Sequence, residues 1–258
     1  MSFRRFLRFG YNWAAQVCDP LRAARGLRSI AWYVSDYRAY KRLPGAEPMR
    51  LIDMYPAVQE RYATHELDAH YFYVNSWAMR LILKGNPRRH VDVASQTILA
   101  ALLSAVIPVT YIDYRWFEAK LSGLKCMTGD VTDLPFEDGA IESLSCLHVA
   151  EHIGLGRYGD PLDPQGTRKA TEELQRVLSP GGNLYFAVPV GRQRLCFNAH
   201  RVHSAKTIGE YFGQLDLVEY SGVHDDGRFV DNVDLSEFRN SDYACGMFHF
   251  RKIGGKRS

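Results

Sequence analysis

The chain of 258 residues is 46% hydrophobic and 24% charged, the balance of a folded globular protein with room for one domain and an extension. Its five cysteines are scattered and never form a C-x-x-C pair, which sets aside a disulfide framework or structural zinc ribbon and predicts a reducing compartment. The net charge of +3 hides an asymmetry: residues 1–50 hold ten Lys and Arg against three Asp and Glu, the remainder 22 against 26. No apolar run reaches the roughly 18–20 residues of a membrane span, and arginines interrupt the N-terminal apolar residues where a signal peptide would be continuous. Cytoplasmic residence is therefore expected.

In chain order, residues 2–18 place Phe3, Phe6, Leu7, Gly10, Trp13, Ala14 and Val17 at helical spacing, with Arg4, Arg5 and Arg8 mostly off that stripe. Such a helix either packs on the protein's own core or lies on an anionic membrane surface, peripheral at the inner face; the sequence leaves both open. Asp19-Pro20 predicts the start of a second, aromatic-rich helix to about Tyr40, and Arg42–Pro48 reads as a linker. Residues 1–45 thus form a basic helical extension. Residues 46–87 read as a helical lead-in, in which Asp68 caps a helix stopped by Gly85-Asn86-Pro87. From 88 to 258 strands and helices alternate. Strands are predicted at His90–Ala94, Val109–Asp113, Lys125–Thr128, Ile141–Leu147, Asn183–Pro189, Leu215–Tyr220 and Tyr243–Arg251. Helices are predicted at Ile98–Val106, Trp116–Leu121, Thr167–Leu178 and Ser204–Phe212. That alternation predicts an α/β fold with a doubly wound, mostly parallel sheet.

Ligands of such sheets bind beyond the carboxyl ends of the strands, at the switch in strand order. Here that rim is Asp92–Gln96, Asp113, Gly129–Asp133, Leu147–His152 and Pro189–Arg194. Asp113 closes the second strand, where a carboxylate can accept both ribose hydroxyls of an adenosine or cap a helix. His148–His152 reads HVAEH and matches the H-x-x-E-H pattern of zinc-protease helices. Because it follows a buried strand, it is read as metal-free, with His148, Glu151 and His152 as base or substrate-binding candidates; a packing role is the alternative for His152. Gly154–Gly166 is a Gly-, Pro- and Asp-rich loop over the rim, a lid from which Arg157, Tyr158 and Asp160 would reach inward. Gly191–Ser204 is a second rim loop that offers Arg192, Arg194, Asn198, His200, Arg201 and His203 to an anionic or sugar substrate, or to solvent.

The segments GDVTDLPFEDGAIESLSCLHVAEHIG, from Gly129, and ATEELQRVLSPGGNLYFAVPVG, ending at Gly191, resemble the middle of the class I S-adenosylmethionine (SAM) dependent methyltransferases. The resemblance spans roughly residues 88–258. It implies a seven-stranded Rossmann-like sheet with an antiparallel last strand, SAM as cofactor, Asp130 accepting from the adenine amino group and Val131 supplying a backbone N–H; by residue type alone Asp130 is equally a turn aspartate. The family's first loop reads D-x-G-x-G-x-G. This chain reads Asp92-Val93-Ala94-Ser95-Gln96-Thr97-Ile98, with side chains at all three glycine positions. Either the loop takes another path, with Asp92, Ala94, Ser95 and Gln96 around the cofactor, or SAM is not bound. HVDVAS, YIDYR, EHIGLGRYGDPLDPQG, PGGNLYFAVPVG and FNAHR are also similar to a domain family of unknown function in that superfamily, over about residues 50–252, whose members accompany surface-polysaccharide genes.

Two functions are expected from this. One is a SAM-dependent methyltransferase, most naturally an O-methyltransferase, acting on a small-molecule or glycan precursor with His148 or His152 as base. The other is a non-catalytic protein of the same fold that has lost SAM binding and serves as a binding or scaffold subunit. Nucleic acid is disfavoured as a partner: the half carrying the rim is net acidic, and Leu147-His148-Val149-Ala150 stands where an N-P-P-Y-type motif would follow the fourth strand. The sequence carries no signal for an oligomeric state.

Overall fold

The computed structural model describes residues 10–11, 13–15, 17–50, 52, 54, 56–57 and 67–254. The chain forms two compact units, Met1–Glu66 and Leu67–Ser258. In the first, helix α1 (Pro20–Tyr40) starts where Asp19 accepts from the N–H groups of Leu21 and Arg22, both at 3.0 Å, with Pro20 at the first position. The Tyr11 hydroxyl donates to the same carboxylate at 3.0 Å. No residue of α1 is buried. The described positions between 10 and 17 are helical, and Trp13 and Val17 are exposed; Phe3, Phe6, Leu7 and most of 51–66 lie outside the described residues. Among the described residues no helix is long and apolar enough to cross a membrane.

The second unit opens with α2 (Ala69–Gly85), capped by Asp68 and closed by Asn86 at φ +46. The chain continues through β1 (His90–Val93), α3 (Thr97–Ser104), β2 (Val109–Asp113), β3 (Leu124–Thr128), β4 (Ile141–Leu147), α4 (Gly166–Val177) and β5 (Leu178–Val190). It ends with β6 (Arg194–Cys196), β7 (His200–Val202), α5 (Ala205–Tyr211), β8 (Leu215–Val223), β9 (Phe229–Val230) and β10 (Ala244–Lys252). The sheet order is β3-β2-β1-β4-β5-β10-β8-β9. β1 to β5 pair in parallel, and β10 is antiparallel to both β5 and β8. Strand order reverses between β1 and β4, which fixes the ligand crevice at their carboxyl ends. Alternation along β5 builds both layers of the core. Leu184, Phe186, Val188 and Val190 face the layer that includes α4 and α5, while Tyr185 and Ala187 face the layer of α2 and α3.

Several expectations are corrected. The main sheet has eight strands rather than seven, because the two-residue β9 adds an antiparallel edge to β8. Trp116–Leu121 forms no helix: six residues with Trp116 and Leu121 exposed have too little burial to offset nucleation, and the chain is turned instead by Asp113 accepting from Arg115 N at 2.9 Å. The rim loop Gly191–Ser204 is not irregular throughout but contains the β6–β7 hairpin.

Behind the rim lies a sealed polar chain. The Ser143 hydroxyl sits 2.8 Å from His90 Nδ1, His90 Nε2 sits 2.9 Å from Ser145 Oγ, and the Ser145 hydroxyl donates to Asp92. One direction satisfies every member: Ser143 donates to His90, His90 to Ser145, and Ser145 to Asp92, with a neutral imidazole. Burial drives His90 down to about 3 and Asp92 up to about 6. These act with opposite sign. The His90 contribution to stability is present above its unfolded pKa near 6.5 and is lost as pH falls towards 3; that of Asp92 is present below 3.8 and is lost as pH rises through 6. His90→Gln should therefore be less acid-labile than the wild type, gaining on it by up to about 1.4 kcal/mol per pH unit below pH 6.5. Urea unfolding at pH 7 and pH 4.5 measures this; a pH-independent difference would contradict it.

Candidate functional site

The rim is organised by the three residues after β1. Ala94 adopts φ +53, a left-handed conformation that costs a Cβ-bearing residue about 1–2 kcal/mol. Ser95 is buried and uses every polar group internally. Its N–H donates to Asp92 Oδ1 at 3.0 Å, its carbonyl accepts from the Tyr111 hydroxyl at 3.0 Å, and its Oγ accepts from Leu147 N at 3.1 Å. Gln96 Oε1 accepts from Asn75 Nδ2 at 2.6 Å, which ties the loop to α2. Three cavities meet at Ala94. Ser95 and Gln96 line two of them, whereas Asp92 lines none of the three and supports the loop from behind.

The first cavity, about 240 Å³, includes Asp113, Asp130, Val131, His152 and Tyr158 in its wall. Asp113 accepts from Arg115 N and, at 3.2 Å, from the Tyr111 hydroxyl. A carboxylate has about four acceptor positions, so capacity remains for a ligand. Asp130 uses Oδ1 in a tight turn, accepting from Thr132 N at 2.8 Å and Thr132 Oγ1 at 2.7 Å; Oδ2 takes part in neither bond.

The neighbouring cavity, about 300 Å³, is walled by Tyr71, Glu151, Tyr243 and others, and shares His148, His152 and Tyr158 with the first. His148 follows β4 at φ +58. Its side chain is 5% exposed and engaged at both ends, with Nδ1 3.1 Å from Glu151 Oε1 and Nε2 3.3 Å from Cys245 Sγ. Burial alone would push His148 down and Glu151 up. Cys245 and Glu151 raise the imidazole instead, and His148 with His152 lowers the carboxyl. His152 Nδ1 lies 2.6 Å from the Ala199 carbonyl and 3.2 Å from Arg157 Nη1; the shorter contact, to an acceptor, requires the proton, so this nitrogen is the donor and Nε2 carries the lone pair in the neutral ring. Nε2 stands 3.6 Å from Glu151 Oε1.

The lid loop arches over this place, with Tyr158 packed edge-on to His152 at 5.7 Å and capped by the guanidinium groups of Arg115, at 4.7 Å, and Arg157, at 5.2 Å. Arg157 also donates to the Ala199 carbonyl at 2.9 Å. Asp160 lines the first cavity but spends its carboxylate on the loop, accepting from the N–H groups of Gly154, Tyr158 and Gly156 at 2.7, 3.2 and 3.4 Å. Against the upward push of burial, these bonds hold its carboxyl below the usual range. Gly154 closes one end of the loop at φ +79, where a Cβ would lie 2.0 Å from the Asp163 carbonyl.

In the second rim loop, Arg201 turns inward to the carbonyls of Ile153 and Asp163, so its role is to brace the lid. Arg192 pairs with Asp242 at the surface, and Asn198 is exposed and lines none of the three cavities. His200 reaches the site indirectly, its ring 4.8 Å from that of Tyr243. Sequence reasoning missed His70, Tyr71, Tyr243 and Cys245, which α2, β10 and the residue before β10 bring to the rim. Only the N-cap signal at Asp68, which fixes the start of α2, hinted at the first two.

The profile of a family described as a Caenorhabditis protein of unknown function, DUF268, matches residues 133–244. No curated protein matches. Among solved structures, the N-methyltransferase NodS of Bradyrhizobium japonicum WM9, in complex with S-adenosylhomocysteine, is similar at TM-score 0.50 and 16% identity, over 70% of this chain and 86% of that one. BH2331 of Bacillus halodurans C-125, described as a candidate methyltransferase, is similar at TM-score 0.50 and 15% identity, over 69% and 98%. Sheet order and these likenesses define the fold as that of the class I SAM-dependent methyltransferases.

Removing the lid's internal acceptor should loosen it. Asp160→Ala is expected to cost about 1.5–3 kcal/mol, the scale of lost hydrogen bonds to a charged group, and to speed proteolytic cleavage within residues 154–166. Unchanged cleavage would show that the carboxylate does not hold the loop.

Proposed function

We propose that the protein is a SAM-dependent methyltransferase that methylates a hydroxyl group of a sugar or glycan precursor. The observation that carries this reading is the pair of cavities joined along Ala94, His148, His152 and Tyr158. One cavity bears two strand-end carboxylates suited to a nucleoside; the other has the aromatic walls Tyr71 and Tyr243, suited to a sugar ring. When bound, SAM supplies an electrophilic methyl group. Asp113 has acceptor capacity left for ribose hydroxyls, Asp130 Oδ2 and the Val131 backbone suit the adenine edge, and Ala94, Ser95 and Gln96 lie towards the methionine end. His152 is favoured as base over His148, because its Nδ1 donation to Ala199 leaves Nε2 as acceptor while both nitrogens of His148 are engaged. Glu151, beside His152 Nε2, would stabilise the imidazolium formed when the acceptor hydroxyl loses its proton. Tyr158 under its two arginines would exclude water.

The non-catalytic scaffold reading draws on one observation: the glycine-free loop is cross-tied through Ser95 and Gln96. Calorimetric titration with SAM and S-adenosylhomocysteine separates the two readings. Binding is expected, and Asp113→Ala should weaken it by about 1–3 kcal/mol, roughly 5- to 150-fold. No heat from folded wild-type protein at millimolar ligand would favour the scaffold. Once an acceptor is in hand, His152→Ala should lower turnover by about 10²–10⁴-fold while leaving SAM affinity unchanged. Full turnover in that variant would remove His152 from the role.

A further inference from the structure

We propose that His70, His148 and Cys245 form a zinc site at the inner end of the cavity walled by Tyr71 and Tyr243. His70 comes from the first turn of α2, His148 from the end of β4 and Cys245 from β10. One donor atom from each lies within 4.8 Å of the others. His148 Nε2 and Cys245 Sγ are 3.3 Å apart, already the spacing of two ligands on a tetrahedral zinc, whose N and S donors lie about 3.3–3.6 Å apart at normal bond lengths. The His70 ring stacks nearly parallel to that of His148, 6.0 Å away and 11° between planes, and a small swing of this half-buried side chain completes the set. Among the described residues it is the one group of three or more His, Cys, Asp or Glu donors so gathered.

Two further observations point to a cation. His148 Nδ1, the nitrogen turned away from Cys245, bonds the Glu151 carboxylate, the arrangement that orients a metal-bound imidazole and raises its basicity. Glu151 is 1% exposed and its other oxygen, Oε2, has no partner. A buried carboxylate left half-satisfied is costly unless positive charge stands near it, and a zinc on His148 Nε2 supplies that charge in place of an imidazole proton. Cys245 is fully buried, out of a substrate's reach, which argues against a Cys-His-Glu nucleophile. Two imidazoles and a thiolate favour zinc over harder cations, and three protein ligands leave a fourth position open. His70 lines the cavity, so that position faces it. The H-x-x-E-H stretch therefore provides one ligand and its supporting carboxylate, with His152 held outside the cluster by Ala199. If the methyltransferase reading holds, a hydroxyl placed on the open position would lose its proton more readily; the metal site itself does not rest on that reading.

The test is metal binding by the full chain after chelator treatment, read by zinc competition with a chromophoric chelator and by cobalt absorption. One zinc per chain is expected, with a thiolate-to-cobalt charge-transfer band. Loss of a supporting partner alone weakens zinc by about 10–100-fold, so Glu151→Gln should fall in that range and His70→Ala at or beyond it. Cys245→Ser should lose the band, while His152→Ala should keep wild-type zinc affinity. Should Cys245→Ser fail to fold, His70→Ala, at a half-buried helix start, carries the test. The proposal is overturned if the wild type takes up no stoichiometric zinc, if His70→Ala binds like the wild type, or if His152→Ala is the variant that loses the metal. None of these readouts requires SAM.

Discussion

A buried carboxylate with no cationic partner in contact holds the rim together. Asp92 lies sealed between β1 and β4, taking one hydrogen bond from the Ser145 hydroxyl and one from Ser95 N. Ser95 passes that constraint on, its carbonyl to Tyr111 on β2 and its hydroxyl to the last residue of β4. Three strand ends at the switch in sheet order are therefore locked through one serine. The His90–Ser145 link extends the lock into the sheet. Its cost is visible in Asp92, which burial pushes up to about 6; in exchange the chain ends of β1, β2 and β4 are held together at the crevice.

The same lock explains how the chain holds this loop without the glycines of the pattern it resembles. A glycine loop lets backbone approach a ligand closely because it lacks Cβ atoms. Here Ala94 accepts the left-handed conformation, and the bonds of Ser95 and Asp92 over-determine it. Side chains stand at the other two of these positions: Gln96, which lines two of the cavities, is held by Asn75 on α2, and Ile98 is exposed on α3 and lines one of them. The lid follows a parallel logic, with Asp160 and Arg201 consumed by backbone groups so that Tyr158 can be held over the crevice.

The sheet was readable from sequence because short segments carrying Val, Ile or Leu, each bounded by turn residues, alternate with helical patterns from His90 onward, even though β1 and β4 bury His90, Asp92, Ser143 and Ser145 among them. Strand ends located Asp113 and Asp130 at the crevice for the same reason. Trp116–Leu121 misled because helical spacing over six residues says nothing about whether a surface exists to cover it. Asp160 and Arg201 misled because residue type announces bonding capacity, not the partner that uses it; both found backbone. His70 and Cys245 were invisible as a pair, since 175 positions separate them and only the packing of α2 on the sheet and the pairing of β10 with β5, itself beside β4, bring them to His148. A Cys in an apolar strand reads as a small hydrophobe until its neighbour is known.

On the proposed reading, the crevice around Ala94 holds a nucleoside cofactor despite its glycine-free loop. Hydrogen exchange of the full chain with and without saturating S-adenosylhomocysteine tests it most directly. Added protection is expected only in peptides covering residues 93–98, 113–115 and 129–132, spreading to the lid at 154–160. An exchange pattern unchanged by the ligand, or protection appearing only in other parts of the chain, would contradict it.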